Sequence, residues 1–220
     1  MLTLPEELFL LAIDDAKGKV CSPSIGTLEY CLAGAILAEL ALNGNINLDE
    51  GKKLIVLDNI ATKNPLLDFA LAQIAGSKRP RSAKHWIEAI GSRGKQLRSY
   101  VVASLVSQGI ITEEKKRLLW VIPYSLYPEK DASAKYWSKL HLRGVVFASE
   151  PADERCLILL SLLRACQLTD MVFTRDERKA ANKQIKQLVK SDVIGAAVSA
   201  VITDIESATA AVVVVVAASS

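Results

Sequence analysis

The chain is poor in aromatic residues: Phe, Trp and Tyr make up 5% of it, against 50% hydrophobic residues overall. Its apolar surface is built mostly from Leu, Ala, Val and Ile, a composition that favours helices packed on helices. Eleven glycines and seven prolines are too few for a many-stranded barrel or a disordered linker protein. The four cysteines, Cys21, Cys31, Cys156 and Cys166, form no C-x-x-C pair, so zinc and thioredoxin-like sites lack support. They are expected to be small buried hydrophobes. His85 and His141 have no carboxylate or cysteine at ligand spacing, which speaks against a metal site. G-x-S-x-G, Walker and dinucleotide-binding motifs are missing as well. The acid pairs Asp14-Asp15 and Glu113-Glu114 fall at expected helix ends or turns. No catalytic residue, metal or cofactor follows from the residues, and a binding protein is expected rather than an enzyme. Long apolar runs are also scarce. Ala208–Ala218 is apolar over 11 residues, well short of the ~20 that span a bilayer, and reads as the end of a last helix. The stretch MLTLPEELFLL carries acids where a signal peptide has positive charge, so a cytosolic location is expected.

What the chain does have is an uneven distribution of charge. Residues Lys78–Arg98 hold seven Lys or Arg and one acid, Glu88, a net +6 in a chain whose total is +3. Concentrated positive charge in a nearly balanced protein points to an anionic partner. A second basic segment, Arg175–Lys190, carries six cations and two acids. Its Lys179, Lys183, Lys186 and Lys190 share one helix face, which reads as a solvated face.

Spacing predicts a mainly α protein: a single domain over residues 1–220, with a central buried helix surrounded by others and one or two short β-hairpins. Helices are expected at about Pro5–Asp15, Ile25–Leu42, Pro65–Ala75, Ala83–Ile90, Lys95–Gln108, Ala132–Ala148, Asp153–Leu168, Arg175–Lys190 and Val193–Val216. The second of these is apolar almost all round, as a central helix must be. One hairpin is expected from Asn45–Leu48 and Lys53–Leu57. A second is expected from Ile110–Thr112 and Leu118–Pro123, with Glu113–Arg117 as its turn and Tyr124–Lys130 as a loop.

Within the basic stretch, Lys95 and Arg98 are three residues apart at a helix start. A helix N-terminus offers free N–H groups and positive potential, so the pair forms a plausible phosphate site with Arg93 and Arg81 nearby. Near an anionic membrane each Lys or Arg contributes ~1 kcal/mol, enough in sum to hold a protein peripherally. A rival reading is a winged-helix-like nucleic-acid module with Glu113–Lys116 as wing tip. The acids in that tip and the apolar helix before it make nucleic acid the weaker partner.

Several segments, in order, resemble the Golgi phosphoprotein 3 family: LTLPEELFLLAIDDAKG, LAGAILAELALNGNINL, NPLLDFALAQI, HWIEAI, LVSQGIIT, ERCLILLSLLRAC and KQIKQLVK. The likeness covers nearly the whole chain. It implies a mostly helical domain around a central helix and binding of phosphatidylinositol 4-phosphate. By motif, Lys95 and Arg98 match two basic headgroup-binding residues of the family. The family's arginine before the central Gly falls on Ala33, and its loop tryptophan falls near Ser22–Ser24, where no aromatic stands. The resemblance therefore implies an anionic-headgroup site with half of the usual pocket replaced. It also implies membrane contact or oligomerisation through the second hairpin region, with Tyr124, Leu126 and Tyr127 as contact candidates. A role as an adaptor that sorts protein cargo is a further implication, as is a bacterial-type member without a basic N-terminal arm. Together these readings predict a cytoplasmic, peripherally membrane-associated protein.

Overall fold

Leu4–Leu11 forms the first helix, α1, with Pro5 in its first turn and Glu6 Oε2 accepting a hydrogen bond from the Thr3 N–H at 2.7 Å. The computed structural model describes residues 1–21, 27–118, 122–148 and 150–189. The expected first helix ran on to Asp15. It stops earlier because Asp14 Oδ1 accepts from the N–H groups of Lys17 and Ala16, and Ile13 bridges to Val20. These contacts draw the chain into a turn.

α2, Thr27–Leu42, is the central helix. Leu32, Ala33, Ala35, Ile36, Leu37 and Leu40 are fully buried, as an all-round apolar helix requires. It packs against α1, α3 (Pro65–Ala75), α4 (Ala83–Gly91), α5 (Gly94–Ser107) and α7 (Glu154–Ala165). Polar ends are tied down as well. Glu39 of α2 accepts from the Leu4 N–H at 2.6 Å and from Arg155 of α7 at 3.0 Å. The α2–α4 approach depends on a glycine. A Cβ at Gly91 would stand 2.5 Å from Tyr30 Cδ1 and 3.2 Å from Tyr30 Cα. Gly91→Ala should therefore cost about 1–3 kcal/mol through overpacking, read as a lowered thermal midpoint.

Local signals place α3 and α4. Asn64 caps α3 by accepting from Leu66 N–H at 2.9 Å, and Ser82 caps α4 by accepting from His85 N–H at 3.3 Å. Strands β1 (Ile46–Leu48) and β2 (Lys53–Val56) form the expected first hairpin. A two-residue strand, β3 (Arg81–Ser82), joins β2 as a third antiparallel member. α6 (Ser133–Phe147) and α8 (Arg178–Leu188) complete the α-helices of the described residues, with α8 packed on α6 and α7. Lys179, Lys183 and Lys186 are exposed on α8, while Ala181 and Ile185 are buried. Lys190 and the expected helix Val193–Val216 lie outside the described residues. No helix among the described residues is long and apolar enough to cross a membrane.

Two expectations are corrected. The second hairpin is shifted: β4 is Glu114–Leu118 and β5 is Ile122–Leu126, paired antiparallel. The segment expected as its turn, and as a wing tip, is therefore strand, and Tyr124–Leu126 is strand rather than loop. Ile110 and Ile111 instead enter the core, 8% and 1% exposed. The second correction concerns cysteine. Cys31 of α2 and Cys166 at the end of α7 form a disulfide across 135 residues of sequence. Cys21 and Cys156 are free, and burial pushes the Cys156 thiol up to about 12.

Candidate functional site

The loop after α1, the early part of α5 and the second hairpin surround an open cavity of about 790 Å³. One clip sets this arrangement. Gly18 has φ +62° and accepts at its carbonyl a hydrogen bond from the Tyr127 N–H at 2.7 Å. A Cβ there would approach Pro128 N to 3.1 Å, so both the left-handed backbone and the close approach demand glycine. Lys19 and Val20 follow directly. The hairpin base is held further by Thr112 N–H donating to Pro128 O at 2.9 Å and by the Ile111–Glu129 bridge.

Three cations meet at the cavity from separate segments: Lys19 from the loop, Arg98 from α5 and Lys115 from β4. Lys115 pairs in register with Ser125, so their side chains share one face of the ribbon. The opposite face carries Glu114, Lys116 and Leu126, which line a neighbouring cavity of about 640 Å³. There Lys116 pairs with Glu114 at 2.9 Å, and that hydrogen bond holds its ammonium above the usual lysine range. Lys19 Nζ lies 5.9 Å from the centre of the Tyr124 ring, within cation–π range. Arg98 pairs with Glu29 of α2. Among the described residues no carboxylate pairs with Lys19 or Lys115.

The basic run Lys78–Arg98 contributes one residue to the cavity lining. Arg98 alone of the four expected headgroup residues lines the cavity. Lys95 is exposed one turn earlier on α5. Arg93 lies 5.6 Å from the Phe69 ring centre on α3, and Arg81 is half-buried in β3 opposite Leu54. Of the three contact candidates, Tyr124 lines the cavity and is 36% exposed. Leu126 is half-buried toward the neighbouring cavity. Tyr127 is 5% exposed and packs edge-on against Phe9 with centroids 5.5 Å apart. It is a core residue that lines the cavity, because the Gly18 clip turns the chain inward there. Ala33 is fully buried in α2, and positions 22–24 lie outside the described residues. Lys19 and Lys115 stand outside the basic run, so charge density along the chain passed over them. The only available signal was their nearness to the Gly18 turn and the hairpin.

The sequence model described as Golgi phosphoprotein 3 (GPP34) matches residues 4–205. Vacuolar protein sorting-associated protein 74 of Eremothecium gossypii is 30% identical over 66% of this chain and 49% of its own length. The protein of the same name from Schizosaccharomyces pombe is 30% identical over 61% of this chain and 45% of its own. The chain thus spans about half the length of the curated relatives it matches. The family match runs from α1 through α8 and takes in every segment that builds the cavity: the chain belongs to the Golgi phosphoprotein 3 family.

Proposed function

We propose that this protein, acting as one domain over residues 1–220, is a peripheral membrane protein that binds anionic lipid headgroups. The observation that carries the reading is the convergence of Lys19, Arg98 and Lys115 on one open cavity beside Tyr124. Arg grips a phosphate with a planar fork and Lys acts as a point charge. An aromatic ring with a polar tip suits a membrane interface. Family membership makes phosphatidylinositol 4-phosphate the headgroup of choice. Lys19 and Lys115 bring to the cavity the positive charge that the family resemblance takes away at Ala33. The function is binding, with no catalytic step, and the protein works from the cytoplasmic side.

A second reading is compatible with the first. Two relatives carry vacuolar protein sorting in their names, which supports an adaptor that holds protein cargo at a membrane, as a homo-oligomer or alone. Vesicle co-sedimentation at ~150 mM salt, where the Debye length is ~8 Å, tests the lipid reading. Phosphatidylcholine vesicles are compared with vesicles containing phosphatidylserine, or phosphatidylinositol 4-phosphate at matched charge. Preference for the phosphoinositide is the expected result. Equal binding to both acidic vesicles reduces the cavity to a general electrostatic surface. Failure to bind either removes the lipid function.

A further inference from the structure

The head of α5 already holds an anion of the protein's own. Glu29 accepts a hydrogen bond from Arg98 Nη2, and its side chain is 16% exposed. A Cβ on Gly94, the first residue of α5, would stand 2.3 Å from Glu29 Cγ. Glycine at that position leaves the space in which Glu29 lies. Glu29 also belongs to the first turn of α2. Its carboxylate therefore has three favourable neighbours: the N-terminus of its own helix, the N-terminal residue of a second, and a guanidinium. Two of these, the head of α5 and Arg98, belong to the phosphate site read from the sequence.

We propose that Glu29 is an internal competitor for the headgroup site, holding Arg98 until an incoming phosphate displaces it. The inference rests on the reading of the cavity as that site. A phosphomonoester carries about −1.5 to −2 charge at pH 7 and three acceptor oxygens, more of each than the carboxylate it must replace. Lys19 and Lys115, which have no carboxylate partner among the described residues, supply the extra attraction at the same cavity. The apparent affinity is then the intrinsic affinity reduced by the hold of Glu29 on Arg98, as for any site whose competent state is only part of the population. Weakly bound anions remain below the threshold.

Glu29→Gln tests this with the side-chain length and the packing on Gly94 retained. Binding is measured to inorganic phosphate and to phosphatidylcholine vesicles containing phosphatidylinositol 4-phosphate. Both should tighten by roughly fivefold or more, from a released cation and one negative charge fewer near the surface. Glu88→Gln makes the same charge change at an exposed position on α4 and should gain less. In an Arg98→Ala background the advantage of Glu29→Gln over Glu88→Gln should vanish. Glu29→Ala, which also frees Arg98, repeats the measurement should the glutamine variant be unstable. A gain no larger than that of Glu88→Gln, or one that persists without Arg98, overturns the competitor. The headgroup reading survives that outcome if Arg98→Ala alone still weakens vesicle binding. Tightening for inorganic phosphate but not for vesicles supports the competitor and overturns the lipid reading. Absence of binding by both the unaltered protein and Glu29→Gln overturns the two together.

Discussion

Replacing Lys19, Arg98 and Lys115 together by alanine is expected to weaken binding to phosphatidylserine-containing vesicles by about two orders of magnitude. Each basic residue close to an anionic surface is worth ~1 kcal/mol, so three contribute ~3 kcal/mol, and 1.4 kcal/mol is a factor of ten. Loss of Arg98 also leaves Glu29 unpaired beside the membrane, which deepens the effect. The matched control is Lys179, Lys183 and Lys186 to alanine on α8. It removes the same charge from an exposed face built by other helices and should cost far less in co-sedimentation. Equal losses in the two triple variants would show that net charge, rather than the cavity, governs attachment. Lys95→Ala alone should cost about fivefold at most, because Lys95 stands on the surface outside the cavity.

The second large effect is structural. Lys135 of α6 is 2% exposed, yet its ammonium is fully engaged. Nζ donates to Ile13 O at 2.5 Å, to Glu129 Oε1 at 2.7 Å and to Asp15 Oδ1 at 2.5 Å. One side chain thus joins the loop after α1, the hairpin exit and α6. Lys135→Met keeps the stem but leaves a buried carbonyl and a mostly buried carboxylate without their donor. Breaking a buried pair this way costs about 3–5 kcal/mol, and the low end applies because Asp15 is 64% exposed and regains water. Urea unfolding should read a loss of about 3 kcal/mol. A pH signature accompanies it. Burial raises the Asp15 carboxyl, but hydrogen bonds from Lys135 and Lys139 outweigh burial and hold it below the usual carboxylate range. A lowered folded value gives stability that is present above the unfolded value and lost as pH falls through the folded one. The difference in stability between Lys135→Met and the unaltered protein should therefore shrink in acid. A constant gap from neutral to acid pH would show that Lys135 acts through packing alone.

Much of the fold was legible because its signals are local. α3 starts and ends where Asn64-Pro65 and the apolar spacing place it, and α2 is buried because no face of it is polar. The second hairpin was not legible. Glu114, Lys115, Lys116 and Arg117 are all exposed, so that strand has no apolar alternation to reveal it. β3 is two residues long and exists only because β2 offers an edge. The site was legible in part. Arg98 was found from helix spacing and its resemblance to family residues. Lys19 and Lys115 reach the same cavity only through the Gly18–Tyr127 contact, which joins positions far apart in the chain. Glu29 is a solitary acid in the sequence, and nothing short of the α2–α5 packing places it on Arg98. The Cys31–Cys166 pairing is equally invisible, since four cysteines allow three pairings and spacing selects none.

That covalent link gives the molecule an unusual tolerance for being cut. It encloses the second hairpin, α5 and Arg98 within a single closed ring of chain, while Lys19 lies just outside it. A protease that severs any one peptide bond between Cys31 and Cys166 produces two polypeptides but still one molecule. The pieces part on a denaturing gel only after a thiol is added. In an oxidised preparation, the two pieces would therefore travel as one molecule, heavier only by the water added in the cut, even when the chain that carries Lys115 and Tyr124 has been opened. Reduction would be the step that reveals the cut.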